Sequence, residues 1–304
     1  MIRATPAGSN GFYGYAEYVT IYQVFGMNPL DSYEQYQKSI HSIFSSRLKI
    51  QILLTLLQEH PPLSRLREVT GSTSQALIPK IRSLESQMLI ETRNYEYFLT
   101  PIGTAVAAEV SNFVMLMSGI TRHREFWAIH DLSGIPAPFI QRIGDLQESD
   151  VKLDTQVDIM HVYSHFLRIV REAEYIHGIS SIMSPGLAET VAERVVAGVP
   201  VELVVNEQVT SLLGKEPYIG LVQKLTGYGN FKIWVTGEEL RVGITVTDKY
   251  LSVGLFKNDS NLYDSSTDLF SQVPEAIRWG EDLFRYYRDH SVLIDLGGAS
   301  SPGP

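Results

Sequence analysis

The sequence predicts a multidomain α/β chain, and three observations predict it. Residues 45–106 read as helix, helix, turn, helix, hairpin and helix. Residues 106–120 carry a heptad seam. From Tyr175 onward strands and helices alternate. Together these give an N-terminal winged helix-turn-helix, a linker helix and a C-terminal α/β domain with a mixed sheet. The boundaries follow: an N-terminal arm over 1–40, the winged helix-turn-helix over 41–100, linker and dimerisation helices over 101–150, the α/β domain over 151–291 and a flexible tail over 292–304.

The first helix of the winged segment carries Leu48, Ile52, Leu53, Leu56 and Leu57 at helical spacing, and Pro61 and Pro62 stop it. The second, Leu63 to Val69, turns Leu63, Leu66 and Val69 inward, and Gly71 supplies the bend after it. Ser72 with Gln75 three residues later has the form of a capping box and predicts the start of the third helix. Leu77, Ile81, Leu84 and Met88 form the buried stripe of that helix. Ser74, Gln75, Ile78, Arg82 and Ser83, with Lys80 beside them, make the opposite face, the one suited to bases and phosphates. Arg82 leads this set, because a guanidinium grips a phosphate or a guanine edge with two hydrogen bonds. Pro79 removes a backbone donor: either it kinks the helix or the helix begins there. The wing, Leu89–Arg93 and Glu96–Leu99, turns at Asn94 and Tyr95. Arg93 and Tyr95 either touch the DNA backbone or decorate a solvated hairpin.

Pro101 suits the first turn of the linker helix. Val106, Val110, Phe113, Met117 and Ile120 alternate steps of four and three, a seam for a second subunit. A helix buried in its own chain would carry the same pattern. Beyond it the sequence reads as a short helix over 138–146, strands over 175–180 and 199–205, and helices over 185–197 and 216–225. Strands over 231–235, 241–247 and 249–256 and a closing helix over 274–289 complete the body. The strand over 199–205 is continuously apolar, as in a sheet covered on both faces.

The length of 304 residues accommodates two or three domains, and 44% hydrophobic residues suffice for a real core. The absence of cysteine excludes disulfides, thiolate metal sites and thiol redox sensing. No run of about 18 apolar residues and no apolar signal segment is read, so a soluble cytoplasmic protein without a membrane partner is expected. The net charge is −9, yet residues 41–100 hold seven basic against five acidic residues. A mildly basic head on an acidic body suits site-selective binding of nucleic acid.

Within Leu251–Ser291 stand GLF at Gly254–Phe256, YDSS at Tyr263–Ser266, DL at Asp268–Leu269 and EAIRWGEDLFRYYR at Glu275–Arg288. FWAIHDLSGIP at Phe126–Pro136 and HGISSIMSPG at His177–Gly186 belong with them. In these phrases the chain resembles archaeal winged-helix regulators of the methanogen filamentation-regulator family, over roughly residues 41–291. The resemblance implies a transcriptional regulator that binds double-stranded DNA and carries a C-terminal effector-sensing or interaction domain. The seam adds a homodimer reading a palindromic operator. Residues 1–40, with Phe12, Tyr13, Tyr15, Tyr18, Tyr22 and Phe25, fall outside the resemblance and are expected to pack on the body or a partner subunit.

His177, Tyr263, Asp264, Ser265, Ser266 and Asp268 are the candidate contacts for a small-molecule effector, although aspartates in such a segment equally hold turns. The strand–helix–strand order more weakly resembles phospholipase-D-like domains of sugar-sensing archaeal regulators. Their chemistry needs His-x-Lys, which occurs nowhere in this chain. No catalytic residues, cofactor or enzymatic activity are therefore expected. His161 and His165, with Asp158, would hold a metal only with a further ligand, and no HExxH pattern is present, so no metal site is expected. The rival reading is a winged helix that docks proteins and has no operator.

Overall fold

The computed structural model describes residues 28–294. They form two compact units, 28–117 and 118–294.

The N-terminal unit opens on α1, Pro29–Phe44, whose N-cap Asn28 accepts a hydrogen bond from the Leu30 amide at 3.0 Å. The predicted arm thus ends in a helix, while its six named aromatics lie outside the described residues. Helix α2, Arg47–Leu56, starts at the cap Ser46, and α3, Leu63–Thr70, stops at Gly71, whose φ of +61° closes the last turn. Helix α4, Ser74–Ser86, is capped by Thr73, which accepts from the Ala76 amide at 3.3 Å, one residue later than the predicted Ser72. The helix continues through Pro79 rather than starting there, so one internal hydrogen bond is missing. Strands β1, Ile90–Arg93, and β2, Glu96–Leu99, pair antiparallel around Asn94 (φ +48°) and Tyr95 (φ +64°). Two left-handed residues make the tight turn whose twist suits a two-residue hairpin. Helix α5, Pro101–Arg122, follows.

Leu53, Leu66, Leu77, Ile81, Leu84, Leu89 and Val110 meet in the core of this unit. Met88 does not join them: α4 ends at Ser86, Met88 turns into the left-handed region (φ +57°) and is 68% exposed, and Leu89 takes the inward place. Two members of the predicted dimer seam are also corrected. Val110 is buried in this core and Val106 packs against it, because α5 lies close on the hairpin at Gly103. By length and composition alone α5 would suffice to cross a membrane, contrary to the reading of the sequence, but Gly103, Ala107 and Val110 pack on protein.

The second unit contains α6 (Arg124–Ile129), β3 (His130–Asp131), α7 (Ala137–Ile140), β4 (Asp150–Leu153), α8 (His161–Glu172), β5 (Ile176–Ser180), α9 (Pro185–Val196), β6 (Val201–Asn206), α10 (Glu207–Leu213) and α11 (Ile219–Leu225). Then come β7 (Phe231–Thr236), β8 (Val242–Val246), β9 (Leu251–Lys257), β10 (Thr267–Ser271), α12 (Pro274–Asp289) and β11 (Val292–Ile294). The sheet order is β11-β7-β6-β5-β8-β9-β10-β4, with β3 added on β9. Strands β5, β6 and β7 are parallel and the remaining pairs antiparallel, a mixed sheet. Helix α12 covers one face; α8, α9 and α11 cover the other.

Two predicted boundaries move. Val292–Ile294 pairs with β7 instead of opening a tail, and the rest of that tail lies outside the described residues. Residues 118–150, read as linker, are built into the body. Trp279 Nε1 donates to the Phe139 carbonyl at 3.0 Å, Tyr287 Oη to that of Gly134 at 2.7 Å, and Arg142 pairs with Asp282 at 2.8 Å.

A Cβ at Gly103 would sit 1.7 Å from the Leu89 carbonyl oxygen. Gly103→Ala must push α5 off the hairpin and should cost about 1–3 kcal/mol. A urea titration checks this by a lowered midpoint; an unchanged midpoint would show that the contact yields freely.

Candidate functional site

The outward side of α4 is one candidate. Gln75 and Arg82 are exposed, and Ser74, Ile78 and Lys80 are half-buried. Among the described residues Arg82 makes no ion pair. Ser83, predicted to face outward, is instead tied inward. Lys49 Nζ donates to Ser83 Oγ at 2.8 Å and to Ser42 Oγ at 2.6 Å, and Gln87 Nε2 donates to the Ser83 carbonyl at 2.9 Å. Burial, with Lys80 nearby, pushes the Lys49 ammonium below its ordinary value. At the hairpin tip Tyr95 is 91% exposed. Arg93 bonds Glu91 and lies 5.5 Å over the Phe98 ring, so its guanidinium is already engaged.

A second feature of this unit is an open apolar stripe. Of the predicted seam, Phe113 and Met117 are exposed here, while Ile120 belongs to the second unit and is half-buried. Phe44 meets Phe113 edge-on at 5.4 Å, which joins this stripe to α1. Helix α1 buries none of its residues, and Leu30, Tyr33, Tyr36 and Ile40 are exposed. The spacing of these residues was the available signal for them in the sequence, and the arm reading passed over it.

The other candidate is a cavity of about 150 Å³ in the body, between the sheet and α8, α9 and α11. Its walls are apolar, with Phe166, Leu187, Leu203, Leu221 and Ile233. Its floor is cut into the sheet by glycine. A Cβ at Gly178 would lie 2.9 Å from Leu203 Cδ2. Gly243 and Gly254 face each other across β8 and β9, and Cβ atoms there would lie 3.0 Å and 1.8 Å from Tyr263 Oη. The Tyr263 ring therefore lies across the sheet where only glycine leaves room.

Tyr263, Asp264, Ser265 and Asp268 line the cavity. Two predicted contacts do not. Ser266 holds the turn, its amide and hydroxyl donating to Asp264 Oδ1 at 3.0 Å and 2.6 Å. His177 lies on the α12 face, its Nδ1 3.0 Å from the Glu281 carboxylate and its ring stacked on Phe284 at 4.6 Å. The physical reason is strand alternation: Gly178 faces the cavity, so its neighbour His177 cannot. Sequence reasoning missed the glycine floor, Ser252, and Tyr163, whose hydroxyl lies 3.0 Å from Ser184 Oγ.

The two aspartates differ in state. Burial pushes Asp268 up to about 7, although Ser252 Oγ donates to it at 2.7 Å and the Leu269 amide at 3.0 Å. Burial acts on Asp264 too, but hydrogen bonds from Ser266 and His130 outweigh it and hold this carboxyl below its ordinary value. His130 Nε2 lies 3.2 Å from Asp264 Oδ2, while its Nδ1 donates to the Phe126 carbonyl at 2.7 Å. Burial, then Asp268 and Asp264, push the Tyr263 phenol well above its usual range. Among the described residues no three His, Asp or Glu side chains converge to hold a metal: His161 faces Asp158 at 3.3 Å, but His165 faces Arg168.

Both halves of the chain match models of one class of regulatory protein. The model for the middle domain of "Methanogenesis regulatory protein FilR1" matches residues 159–290, and that for its N-terminal domain matches residues 37–118. The chain belongs to the FilR1 family, a family of regulatory proteins and not of enzymes. The methanogenesis regulatory protein FilR1 of Methanothrix harundinacea (strain 6Ac) is 24% identical over 263 residues, covering 86% of this chain and 59% of that protein. The chain thus spans about three fifths of that relative's length. Among solved structures, TrmBL2, described as an archaeal chromatin protein with a novel mode of DNA binding, is 11% identical with a TM-score of 0.37, covering 86% of this chain and 99% of that one. Nuc, a phospholipase D family member from Salmonella typhimurium, is 12% identical with a TM-score of 0.38, covering 48% of this chain and 99% of that one. At these scores neither likeness bears on function.

Because Asp268 is raised in the folded chain, its protonated form stabilises the fold. That contribution is full below its ordinary value of 3.8 and is lost as pH rises through about 7. Asp268→Asn should flatten the fall of thermal midpoint with pH over this window; a slope identical to that of the unaltered protein would place the titration elsewhere.

Proposed function

We propose that the chain is a DNA-binding transcriptional regulator whose N-terminal unit is a winged helix-turn-helix. The observation that carries this reading is α4. It buries Leu77, Ile81 and Leu84 and leaves Gln75 and Arg82 open on a helix of the length a major groove admits. Tyr95, exposed at the hairpin tip, serves the flanking backbone on this reading. Family membership supports the same reading, since the relative in Methanothrix harundinacea is named a methanogenesis regulatory protein.

The regulator works as a homodimer on a palindromic operator, because two-fold symmetry doubles the contacts. The second copy covers the stripe that Phe44 and Phe113 join, in place of the predicted Val106 and Val110. The cavity of the body takes the effector. Asp264 both lines it and holds His130, and α6, which precedes His130, is separated from α5 by His123 alone. An occupant that moves Asp264 therefore acts on the segment that leads back to the head. The effect requires that it favour one arrangement over the other.

Arg82→Ala should weaken operator binding by about 1–3 kcal/mol in an anisotropy titration, against a steep fall of affinity with salt for the unaltered protein. Unchanged affinity would remove Arg82 from the reading face, and a flat salt dependence would favour the protein-docking alternative. Phe44→Glu combined with Phe113→Glu should convert the dimer to monomer in sedimentation equilibrium; a surviving dimer would place the interface elsewhere.

A further inference from the structure

Three properties of the cavity restrict what can fill it, once it is read as the effector site. The first is size. A dry apolar cavity of about 150 Å³ in another protein binds benzene, so this one takes roughly a single ring or a short chain.

The second is charge. Asp264 and Asp268 line it, and among the described residues no lysine, arginine or histidine does. An anion would meet carboxylates and no counter-charge. A cation would meet an Asp264 whose oxygens already serve His130 and Ser266, with Lys257 Nζ 3.5 Å away, and an Asp268 whose two oxygens already accept from Ser252 and the Leu269 amide. Burying either charge without a partner is costly.

The third is hydrogen bonding. Among the described residues Tyr263 Oη makes no hydrogen bond, although the Gly243 and Gly254 pair clears space for it. Asp268 stands on the same lining, with Ser252 Oγ and the Leu269 amide donating to it. One hydroxyl both donates and accepts, so it can serve Tyr263 and Asp268 together.

We infer that the cavity takes a small, uncharged, mostly apolar molecule with one hydroxyl, of the phenol or short-alcohol class, its hydroxyl set against Tyr263 and Asp268. The apolar remainder lies on Phe166, Leu187 and Leu221. This inference rests on the effector-cavity reading above and adds the class of ligand to it.

The test is calorimetry on the full chain with four single-ring probes of closely similar size: para-cresol, toluene, benzoate and benzylamine. Para-cresol should bind about tenfold more tightly than toluene, the worth of one buried hydrogen bond. Benzoate and benzylamine, charged at neutral pH, should show no saturable binding. Tyr263→Phe should shrink the para-cresol advantage to what the bond to Asp268 sustains and leave toluene binding unchanged. Gly178→Leu should fill the cavity and abolish both; Gly178→Ala, which should weaken both, replaces it if the leucine variant does not fold. If a charged probe matches para-cresol, or the para-cresol advantage survives Tyr263→Phe undiminished, while Gly178→Leu still blocks binding, the hydroxyl assignment is overturned and the cavity reading stands. If neither para-cresol nor toluene binds, or both bind Gly178→Leu as before, the cavity reading falls and the ligand class with it.

Discussion

The body of this protein is organised around one buried contact, His130 against Asp264. Both side chains are almost wholly out of solvent, and they come from positions 134 residues apart. Removing one partner of such a pair strands the other in a poor solvent, at a cost of about 3–5 kcal/mol. The contact therefore fixes where β3 lies on β9 and where the segment after β9 turns. Asp131 bonds Arg241, whose guanidinium lies 4.9 Å over the Phe256 ring, and this second polar link holds the same strand. Residues 118–150 consequently pack as part of the body, although their short helices and turns read as a linker.

How much of this was legible depended on whether a residue's surroundings lay close in sequence. The stripe Leu77, Ile81 and Leu84 could be read from spacing, because one helix face sees one core. Met88 could not, since whether the helix runs two residues past Ser86 is decided by the turn into the hairpin. Val110 and Phe113 fit one heptad seam equally well, but spacing does not say whether the partner is the same chain or another. Strand β10 is buried at every position and shows no alternation, so nothing in Thr267–Ser271 marked it.

The candidate sites were legible in the same uneven way. The polar segment Tyr263–Asp268 was recognisable as a cluster, and four of its residues line the cavity. His177 was misplaced because a strand sends neighbours to opposite faces, and an error of one residue inverts the answer. The glycine floor was not legible at all. Gly178, Gly243 and Gly254 sit on three strands, and only the register of β5, β8 and β9 brings them together.

That floor has an energetic meaning. A void of about 150 Å³ in a packed interior costs about 3–4 kcal/mol at the usual price per unit volume. A side chain at Gly178 or Gly243 would press on Leu203 or Tyr263 and drive them toward that space, and the sequence holds glycine at both positions. The fold thus keeps unfilled space beside a carboxyl whose proton burial helps to retain and a phenol whose hydroxyl makes no hydrogen bond among the described residues. On the effector reading proposed above, a ligand that fills the space would recover contacts which the empty state lacks. Under that reading its binding would bear on His130 through Asp264, because one carboxylate belongs to both the cavity wall and the buried pair.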